Sequence, residues 1–290
     1  MRRFVTAVSM ALMAVAAGGA AQAQDAPAAP APAAEESVLA SVIAGSWRSD
    51  ADKTRDAFRH PAESLEFWGL KPGMSILEVQ PGEGWWTQIL APYAARTGGR
   101  YTATASDILN PALSQGARLG RQRFELRFYN PGLYGRVQLV NWGPEATPLA
   151  ADQYDFILLS RSVHGWMSGE GAVERNFGLL AKALKPGGVL AVEQHRAKPG
   201  VQDLKAGSGY VTEAHVIQLA EKAGLKLVAK SEINANPKDT KDHPFGVWTL
   251  PPTRQSAARG SKEPPDPKFD RAKYDAIGES DRMTLRFTKG

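Results

Sequence analysis

Cysteine is absent from the 290 residues. Without a thiol the chain can form no disulfide, carry no thioether-linked lipid and offer no thiolate to a metal. After the amino-terminal segment, no window reaches the ~18 uninterrupted apolar residues that a membrane-spanning helix needs. Basic runs with interleaved aromatic residues are also missing, and the net charge is only +5. These absences argue against a membrane span in the rest of the chain and against a nucleic-acid partner.

The amino-terminal segment predicts an export signal over residues 1–23. Arg2-Arg3 precede an apolar run from residue 4 to about residue 17, and Ala21-Gln22-Ala23 follow it. Charged, apolar and small-residue regions in this order are typical of a secretory signal peptide. An uncleaved anchor is the alternative. Of 35 basic and 30 acidic residues the signal takes two arginines, which leaves the remaining chain at +3.

An alanine- and proline-rich stretch, residues 24–37, predicts an extended linker after the signal. Residues 38–290 then form one predicted domain, because the helix and strand pattern runs through them without a break. We therefore expect a periplasmic or secreted protein with no membrane span after signal cleavage. The sequence does not indicate its oligomeric state.

Short apolar or alternating segments recur along this domain, with helical patterns between them. Strands alternating with helices predict an α/β fold with a Rossmann-like, doubly wound, mostly parallel sheet of about seven strands. The last two strands lack an intervening helix, which predicts an antiparallel C-terminal edge strand. The polar, proline-rich residues 234–281 are expected to cross the surface or to be partly disordered. The predicted strands are residues 75–79, 100–106, 137–140, 154–160, 189–193, 225–233 and 283–288.

A glycine-rich loop, Gln80–Gly84, follows the first predicted strand, and a helical pattern begins at Trp85. In α/β folds such a turn presents backbone N–H groups and a helix N-terminus to a ligand. Thr87 stands where a dinucleotide loop has its third glycine, and Glu83 would repel a pyrophosphate, so the loop disfavours NAD. The Gly-Lys-Ser/Thr ending of a phosphate-binding loop does not occur.

The loop and several later segments resemble class I S-adenosylmethionine-dependent methyltransferases, whose first motif reads acid-x-G-x-G-x-G. The ending of the chain resembles more narrowly a group of exported predicted methyltransferases. The resemblance implies S-adenosylmethionine as the cofactor. The matching segments are, in chain order, LEVQPGEG (77–84), Asp107 after the second strand, YDFILLSRSVHGW (154–166), LKPGGVLAVEQH (184–195) and DRMTLRFTK (281–289).

For the methionine end of that cofactor, the resemblance implies four site residues. Glu78 would orient the charged amino and sulfonium groups, unless it pairs with a neighbouring basic side chain. Gly82 and Gly84 would let the backbone approach the methionyl part. Gln80 stands in the place of the first glycine of the motif. Its side chain would either obstruct the cofactor or form a hydrogen bond with the methionine carboxylate.

For the nucleoside end, the resemblance implies three more residues. Asp107 would accept hydrogen bonds from the ribose hydroxyls, or it would cap the turn over residues 108–113. Asn141 and Trp142, expected just after the third strand, would border the adenine by a hydrogen bond and by stacking. Trp142 is equally consistent with a place in the core.

Candidate catalytic residues follow the fourth and fifth strands, because open α/β sheets bind ligands at the carboxyl ends of their strands. His164 and His195 would deprotonate a hydroxyl acceptor, or would bind a metal together with Glu193, or would be structural. A metal is not part of the favoured hypothesis. Trp85, Trp86 and Trp166 would line an apolar acceptor pocket or pack in the core.

Two functions remain open on this evidence. The first is methyl transfer from S-adenosylmethionine to a small-molecule acceptor in the cell envelope. The second is a non-catalytic, ligand-binding relative of such enzymes, because S-adenosylmethionine is made in the cytoplasm and an exported protein has no evident supply.

Overall fold

A seven-stranded sheet forms the centre of the molecule, in the order β3-β2-β1-β4-β5-β7-β6. A computed structural model of the chain describes residues 37–144, 146–261 and 266–290. The predicted signal peptide, and the predicted linker up to residue 36, lie outside these residues. The strands are β1 (Ser75–Val79), β2 (Arg100–Ser106), β3 (Gln138–Trp142), β4 (Tyr154–Ser160), β5 (Leu184–His195), β6 (Leu225–Ser231) and β7 (Arg282–Lys289).

The helices lie between the strands and before the first of them. None of the described helices is long and apolar enough to cross a membrane. They are α1 (Val38–Ile43), α2 (Asp50–Thr54), α3 (Asp56–Arg59), α4 (Pro61–Trp68), α5 (Thr87–Arg96), α6 (Gln115–Arg127), α7 (Pro131–Tyr134), α8 (Val163–Trp166), α9 (Ala172–Ala183), α10 (Glu213–Lys222) and α11 (Arg271–Asp275), with a 3₁₀ helix over Gly246–Thr249.

Strands β1 to β5 pair in parallel, and β7 pairs antiparallel with both β5 and β6. The predicted doubly wound, mostly parallel sheet is therefore confirmed, with its antiparallel part at one edge as expected. Within that part β7 takes the inner place and β6 the outer one. The alternating MTLRFT pattern fits this inner place, because Met283, Leu285 and Phe287 are fully buried.

The central strand β4 is apolar along most of its length because both of its faces are covered. Phe156 and Leu158 belong to one hydrophobic core, whereas Ile157 and Leu159 belong to the other. Successive side chains of a strand point to opposite faces, so one strand contributes to both cores. Burying both faces fixes the positions of the strand ends, where the loops of the site begin.

Several element ends differ from those expected. Helix α5 begins at Thr87 rather than at Trp85, because residues 82–86 form consecutive turns. Strand β3 extends to Trp142, so Asn141 and Trp142 are paired strand residues rather than residues of a following loop. Strand β5 begins at Leu184 and includes the Lys-Pro-Gly-Gly stretch that was expected to precede it.

The proline-rich segment between β6 and β7 is anchored to the sheet where it is described, at residues 234–261 and 266–281. Asp239, buried, accepts hydrogen bonds from the Tyr210 hydroxyl (3.0 Å) and the Asp281 backbone N–H (2.8 Å), and lies 2.8 Å from His243 Nε2. A Cβ on Gly246 would lie 2.3 Å from the Ser208 carbonyl oxygen, so the 3₁₀ helix sits directly against that backbone. The segment forms a wall above the carboxyl end of the sheet.

Gly82 and Gly84 both have a positive φ, but a side chain would have space only at Gly82. This difference gives a test of the fold. A Cβ on Gly84 (φ +81°) would lie 2.3 Å from the Phe128 ring, which packs against Phe124 and Tyr134. A Cβ on Gly82 (φ +60°) would meet nothing within 4 Å. We expect Gly84→Ala to lower the free energy of unfolding by about 2–4 kcal/mol and Gly82→Ala by about 1 kcal/mol. Urea denaturation of both variants measures the difference, and equal losses would show that the Phe128 contact is unimportant.

Candidate functional site

The loop after β1 turns sharply at Gln80, which has a φ of +49°. Its backbone N–H donates to Thr104 Oγ1 of β2 at 2.7 Å, so the turn is tied to the neighbouring strand. A left-handed conformation is the one that glycine adopts most easily, and Gln80 keeps it without being glycine. The backbone therefore follows a glycine-type path although the first glycine of the motif is replaced.

Two cavities, of about 380 Å³ and 300 Å³, open on either side of this loop, and Gln80, Pro81 and Gly82 line both of them. The first cavity lies at the ends of β1, β4 and β5, and the second lies at the end of β2 beside α6. A ligand that spans the loop would thus reach both. The other residues that line the first cavity include Arg55, Arg59, Glu78, Trp85, Trp86, Ser160, Arg161, His164, His195, Val247, Trp248, Pro251 and Glu279.

The second cavity has an aromatic and apolar wall with polar backbone at its edge. Ser106, Phe124 and Trp142 line it, as does Arg121. The Arg121 side chain donates to the Ser106 carbonyl oxygen (2.8 Å) and to Asn141 Oδ1 (2.6 Å). Trp142 lines this cavity, and its stacking on an adenine stays a prediction. Asn141 does not line the cavity, and its amide oxygen is bound to Arg121.

Asp107 is buried and does not line the second cavity. Its Oδ1 accepts a hydrogen bond from the Leu109 backbone N–H at 3.0 Å. This is the capping arrangement that was the alternative to ribose binding. No described residue forms a hydrogen bond with its other carboxylate oxygen, Oδ2.

The Gln80 side chain reaches across to α8, where its Oε1 accepts from the Trp166 indole N–H at 2.8 Å. Trp166 itself is buried against Phe177 and beside Trp142. The hydrogen bond holds the amide of Gln80 at the boundary between the cavities. Both cavities remain open beside this amide, so the Gln80 side chain does not fill the space around the loop.

Glu78 is buried and bound by two hydroxyls rather than by a basic side chain. Tyr101 donates to its Oε2 at 2.5 Å and Thr87 at 2.9 Å. No described basic side chain lies within ion-pair distance of it. Burial raises the pKa of the Glu78 carboxyl to about 7, against the lowering effect of the two hydrogen bonds. The group therefore titrates near neutral pH at the floor of the first cavity.

The two histidines converge on the first cavity, with ring centroids 5.5 Å apart. His164 Nδ1 lies 3.2 Å from Gln194 Nε2, which also donates to the Gly209 carbonyl oxygen. Because an amide nitrogen can only donate, the network assigns the ring proton of neutral His164 to Nε2. His164 is thus a hydrogen-bond donor toward the cavity rather than a base.

His195 differs, because its Nδ1 lies 2.6 Å from the Ser280 hydroxyl, which can accept a hydrogen bond from it. With the ring proton on Nδ1, Nε2 is free to take a proton from a ligand. Burial lowers the pKa of His195 well below its usual value, and the neighbouring His164 and Arg161 lower it further. His195 is therefore neutral at neutral pH.

Glu193 does not join the histidines. Its Oε1 pairs with Arg282 at 2.5 Å and its Oε2 accepts from the Ser160 hydroxyl at 2.6 Å. Burial tends to raise its pKa, but the charges of Arg282, Arg161 and Arg59 outweigh burial and lower the pKa to about 2. Among the described residues no three His, Asp or Glu side chains are placed to hold a metal. The proposed metal role of Glu193 has no geometric support.

Sequence reasoning missed the arginines and the far wall of the first cavity. Arg55 directly precedes α3 and Arg59 ends it, in a part of the chain where no site was predicted. Arg161 directly follows β4, a position that could have indicated a ligand contact. Trp248 comes from the proline-rich segment, whose composition gave no indication of a site. Trp85 and Trp86 line the cavity, whereas Trp166 does not.

The strand order, with an antiparallel β7 between β5 and β6, is that of the class I S-adenosylmethionine-dependent methyltransferase fold. A solved structure agrees at the level of the fold. It is a Galdieria sulphuraria protein proposed to be a sarcosine dimethylglycine methyltransferase, and it superimposes with a TM-score of 0.53 at 17% identity over 82% of this chain and 86% of that one.

Sequence relatives point to the same class of enzyme, although no protein-family model matches the chain. The Klebsiella pneumoniae ubiquinone/menaquinone biosynthesis C-methyltransferase UbiE is 26% identical over 167 residues, which are 58% of this chain and 58% of that protein. The Shewanella pealeana UbiE is 26% identical over 129 residues, or 44% of this chain and 45% of that protein. The chain thus spans about half the length of the curated relatives it matches. The comparisons agree with the expected enzyme class and cofactor.

The raised pKa of the Glu78 carboxyl predicts that the stability of the protein depends on pH. Its pKa in the fold is about 7, above its ordinary 4.5, so the fold favours the protonated carboxyl. The stability from this group is fully present below pH 4.5 and is lost as the pH rises through 7. Relative to Glu78→Gln, the wild type should lose about 2 kcal/mol between about pH 5 and pH 7.5. Urea denaturation over this range measures it. Glu83→Gln, an exposed change in the same loop, is the control, and a constant Glu78→Gln difference would contradict the prediction.

Proposed function

We propose that the protein is an S-adenosylmethionine-dependent methyltransferase that acts on a small molecule. One observation carries the proposal: two cavities meet at the Gln80–Gly82 loop, at the carboxyl ends of β1, β2 and β4. A ligand with a nucleoside at one end and an amino acid at the other fits such a divided site. Its two halves would lie on either side of the loop.

The residues present fit the two halves of this cofactor. The second cavity would take the adenosine, with Trp142 and Phe124 against the base. Asp107 follows Ser106 of the cavity lining, and its side chain would have to turn toward the cavity to reach the ribose. The first cavity would take the methionyl end beside Glu78. At Gly82 a Cβ would project into open space, so the backbone there is accessible to a ligand. Glu83 lines the first cavity and would repel a phosphate, which this cofactor lacks.

When bound, S-adenosylmethionine supplies a methyl group on a positively charged sulfur. The chain holds the acceptor in the first cavity, where proximity and alignment provide most of the rate. His195 Nε2 takes the proton that a hydroxyl or amine acceptor loses as its bond to the methyl carbon forms. His164 donates a hydrogen bond from Nε2 to the same acceptor. Trp248, Val247 and Pro251 cover the cavity and limit the access of water.

The second candidate function, a non-catalytic ligand-binding protein, depends mainly on Gln80 and on location. Gln80 keeps the left-handed backbone, and its side chain is held by Trp166, so it does not close either cavity. These contacts favour the enzyme. The cell envelope stays a proposal supported by the composition of residues 1–23, and it leaves the source of the cofactor outside the cytoplasm to be found.

Cofactor binding gives a direct test with a matched pair of variants. We expect S-adenosylhomocysteine to bind the wild type in isothermal titration calorimetry. Asp107→Asn keeps an oxygen that can cap the Leu109 N–H but removes the charge that binds ribose hydroxyls. It should lower the affinity about tenfold with little loss of stability, whereas Asp107→Ala should lower both. Absence of binding to the wild type at millimolar ligand would refute the proposed function.

Export gives a separate test. Expressed in a Gram-negative host, the chain should be recovered from the periplasmic fraction with Gln24 as its first residue, because cleavage is expected after Ala23. Amino-terminal sequencing of the fractionated protein measures this. A chain that retains residues 1–23 in the membrane fraction would instead support the uncleaved anchor.

A further inference from the structure

The first cavity contains more guanidinium groups than carboxylates that can pair with them. Glu279 is shared by Arg55 (2.7 Å), Arg59 (2.9 Å) and Arg282 (3.0 Å). Glu193 is shared by Arg282 and the Ser160 hydroxyl. Both oxygens of each buried carboxylate are therefore bonded at the inner end of the cavity. The bonds from Arg55 and Arg59 to Glu279 use only the Nε nitrogens of the two arginines.

The other acids that line the cavity form no ion pair with Arg55, Arg59 or Arg161. Asp52 is bound by Gln88 Nε2 (3.0 Å) and lies 3.5 Å from Arg127, at the rim. Glu78 is bound by hydroxyls, and its raised pKa, about 7, leaves it partly neutral at neutral pH. Glu83 is exposed on the loop. The positive charge at the inner wall thus remains unbalanced.

Two arginines have donors without partners at this wall. Both terminal nitrogens of Arg59 are buried and form no hydrogen bond with any described residue. The guanidinium of Arg59 is held in place by stacking 4.6 Å from the Trp85 ring centroid. A buried donor without an acceptor costs free energy, so such a pair of nitrogens is an indication of a missing ligand.

Arg161 stands beside Arg59 and is partly open to the cavity, with 25% of its side chain exposed. Only its Nε contacts described side chains, at 3.3 Å from Ser160 Oγ and 4.0 Å from Glu193. Its backbone has a φ of +56°, an unfavourable conformation for arginine that is held by a 2.7 Å bond from its N–H to the Glu193 carbonyl oxygen. Strain of this kind is concentrated at functional sites. After burial, Arg161 is the largest cause that lowers the pKa of Arg59, because the two cations repel each other.

We propose that Arg59 and Arg161 bind the carboxylate of the methyl acceptor, so that the acceptor is a small carboxylic acid. This inference rests on the proposed methyltransferase function. A carboxylate between the two guanidinium groups would supply the acceptor atoms that they lack and would remove their repulsion. Val247, Trp248 and Pro251 offer an apolar surface to the body of the acid. The carboxylate anchors the acceptor. The group that is methylated is a different one, a hydroxyl or an amine of the same molecule within reach of His195.

The test measures binding of benzoate and benzamide to the protein saturated with S-adenosylhomocysteine. The two probes have nearly the same shape, and only benzoate carries the charge. We expect benzoate to bind and benzamide to bind at least about tenfold more weakly. Arg161→Gln and Arg59→Gln should each weaken benzoate about ten- to a hundredfold and leave the affinity for S-adenosylhomocysteine unchanged. Arg123→Gln, which alters an exposed arginine of α6, is the matched control.

Other results would overturn the inference. These are equal binding of the two probes, no binding of benzoate to the saturated protein, or an unchanged benzoate affinity in Arg161→Gln. Arg59 is buried, so if Arg59→Gln fails to fold by circular dichroism, the partly exposed Arg161 decides the outcome. If Arg161→Gln weakens S-adenosylhomocysteine but not 5′-methylthioadenosine, the arginines bind the carboxylate of the cofactor and the acceptor assignment is wrong. Failure of the wild type to bind S-adenosylhomocysteine is a separate result, which refutes the proposed function itself.

Discussion

The buried ion pair between Glu193 and Arg282 is the interaction on which the site depends. It joins the ends of β5 and β7, and Arg282 also reaches Glu279 and the Phe58 carbonyl oxygen before α4. The amino-terminal helices, the sheet and the segment before β7 are therefore connected through one guanidinium. A buried pair is not in itself strong evidence for stability, because desolvation offsets the attraction. What this pair provides is position: it fixes the inner end of the first cavity, where Arg59 has two terminal nitrogens without a described partner.

The sequence predicted the sheet well because burial leaves a clear pattern. β4 had to be apolar since both of its faces are covered, and the glycine loop had to be a turn since no helix or strand accepts it. The predicted β3 was too short, because it left out Asn141 and Trp142. These two residues are in a strand because they pair with Ala105 and Ser106 of β2. Local preference cannot show a partner strand that is distant in the sequence.

The sequence predicted only part of the candidate site. Residues that follow strands could be placed by the rule that ligands bind at their carboxyl ends, and so the two histidines were found to meet. Arg59 and Glu279 could not be found in this way, since they are 220 residues apart and come together only through tertiary packing. Hydrogen bonding with Gln194 makes His164 a donor toward the cavity, whereas the Ser280 hydroxyl allows His195 either role. No spacing rule contains that distinction, because it depends on Gln194 and Ser280.

The wall formed by Val247, Trp248 and Pro251 belongs to an insertion between two strands whose positions are fixed by the sheet. The second cavity, in contrast, is built from the loop after β1, the end of β2, α6 and Trp142 of β3. In the proposed function, selectivity for the acceptor and recognition of the cofactor would therefore depend in part on separate stretches of the chain. An insertion of different length or composition between β6 and β7 could change the acceptor while the cofactor cavity and the sheet stay as they are, which makes this insertion the natural place for relatives of this protein to diverge.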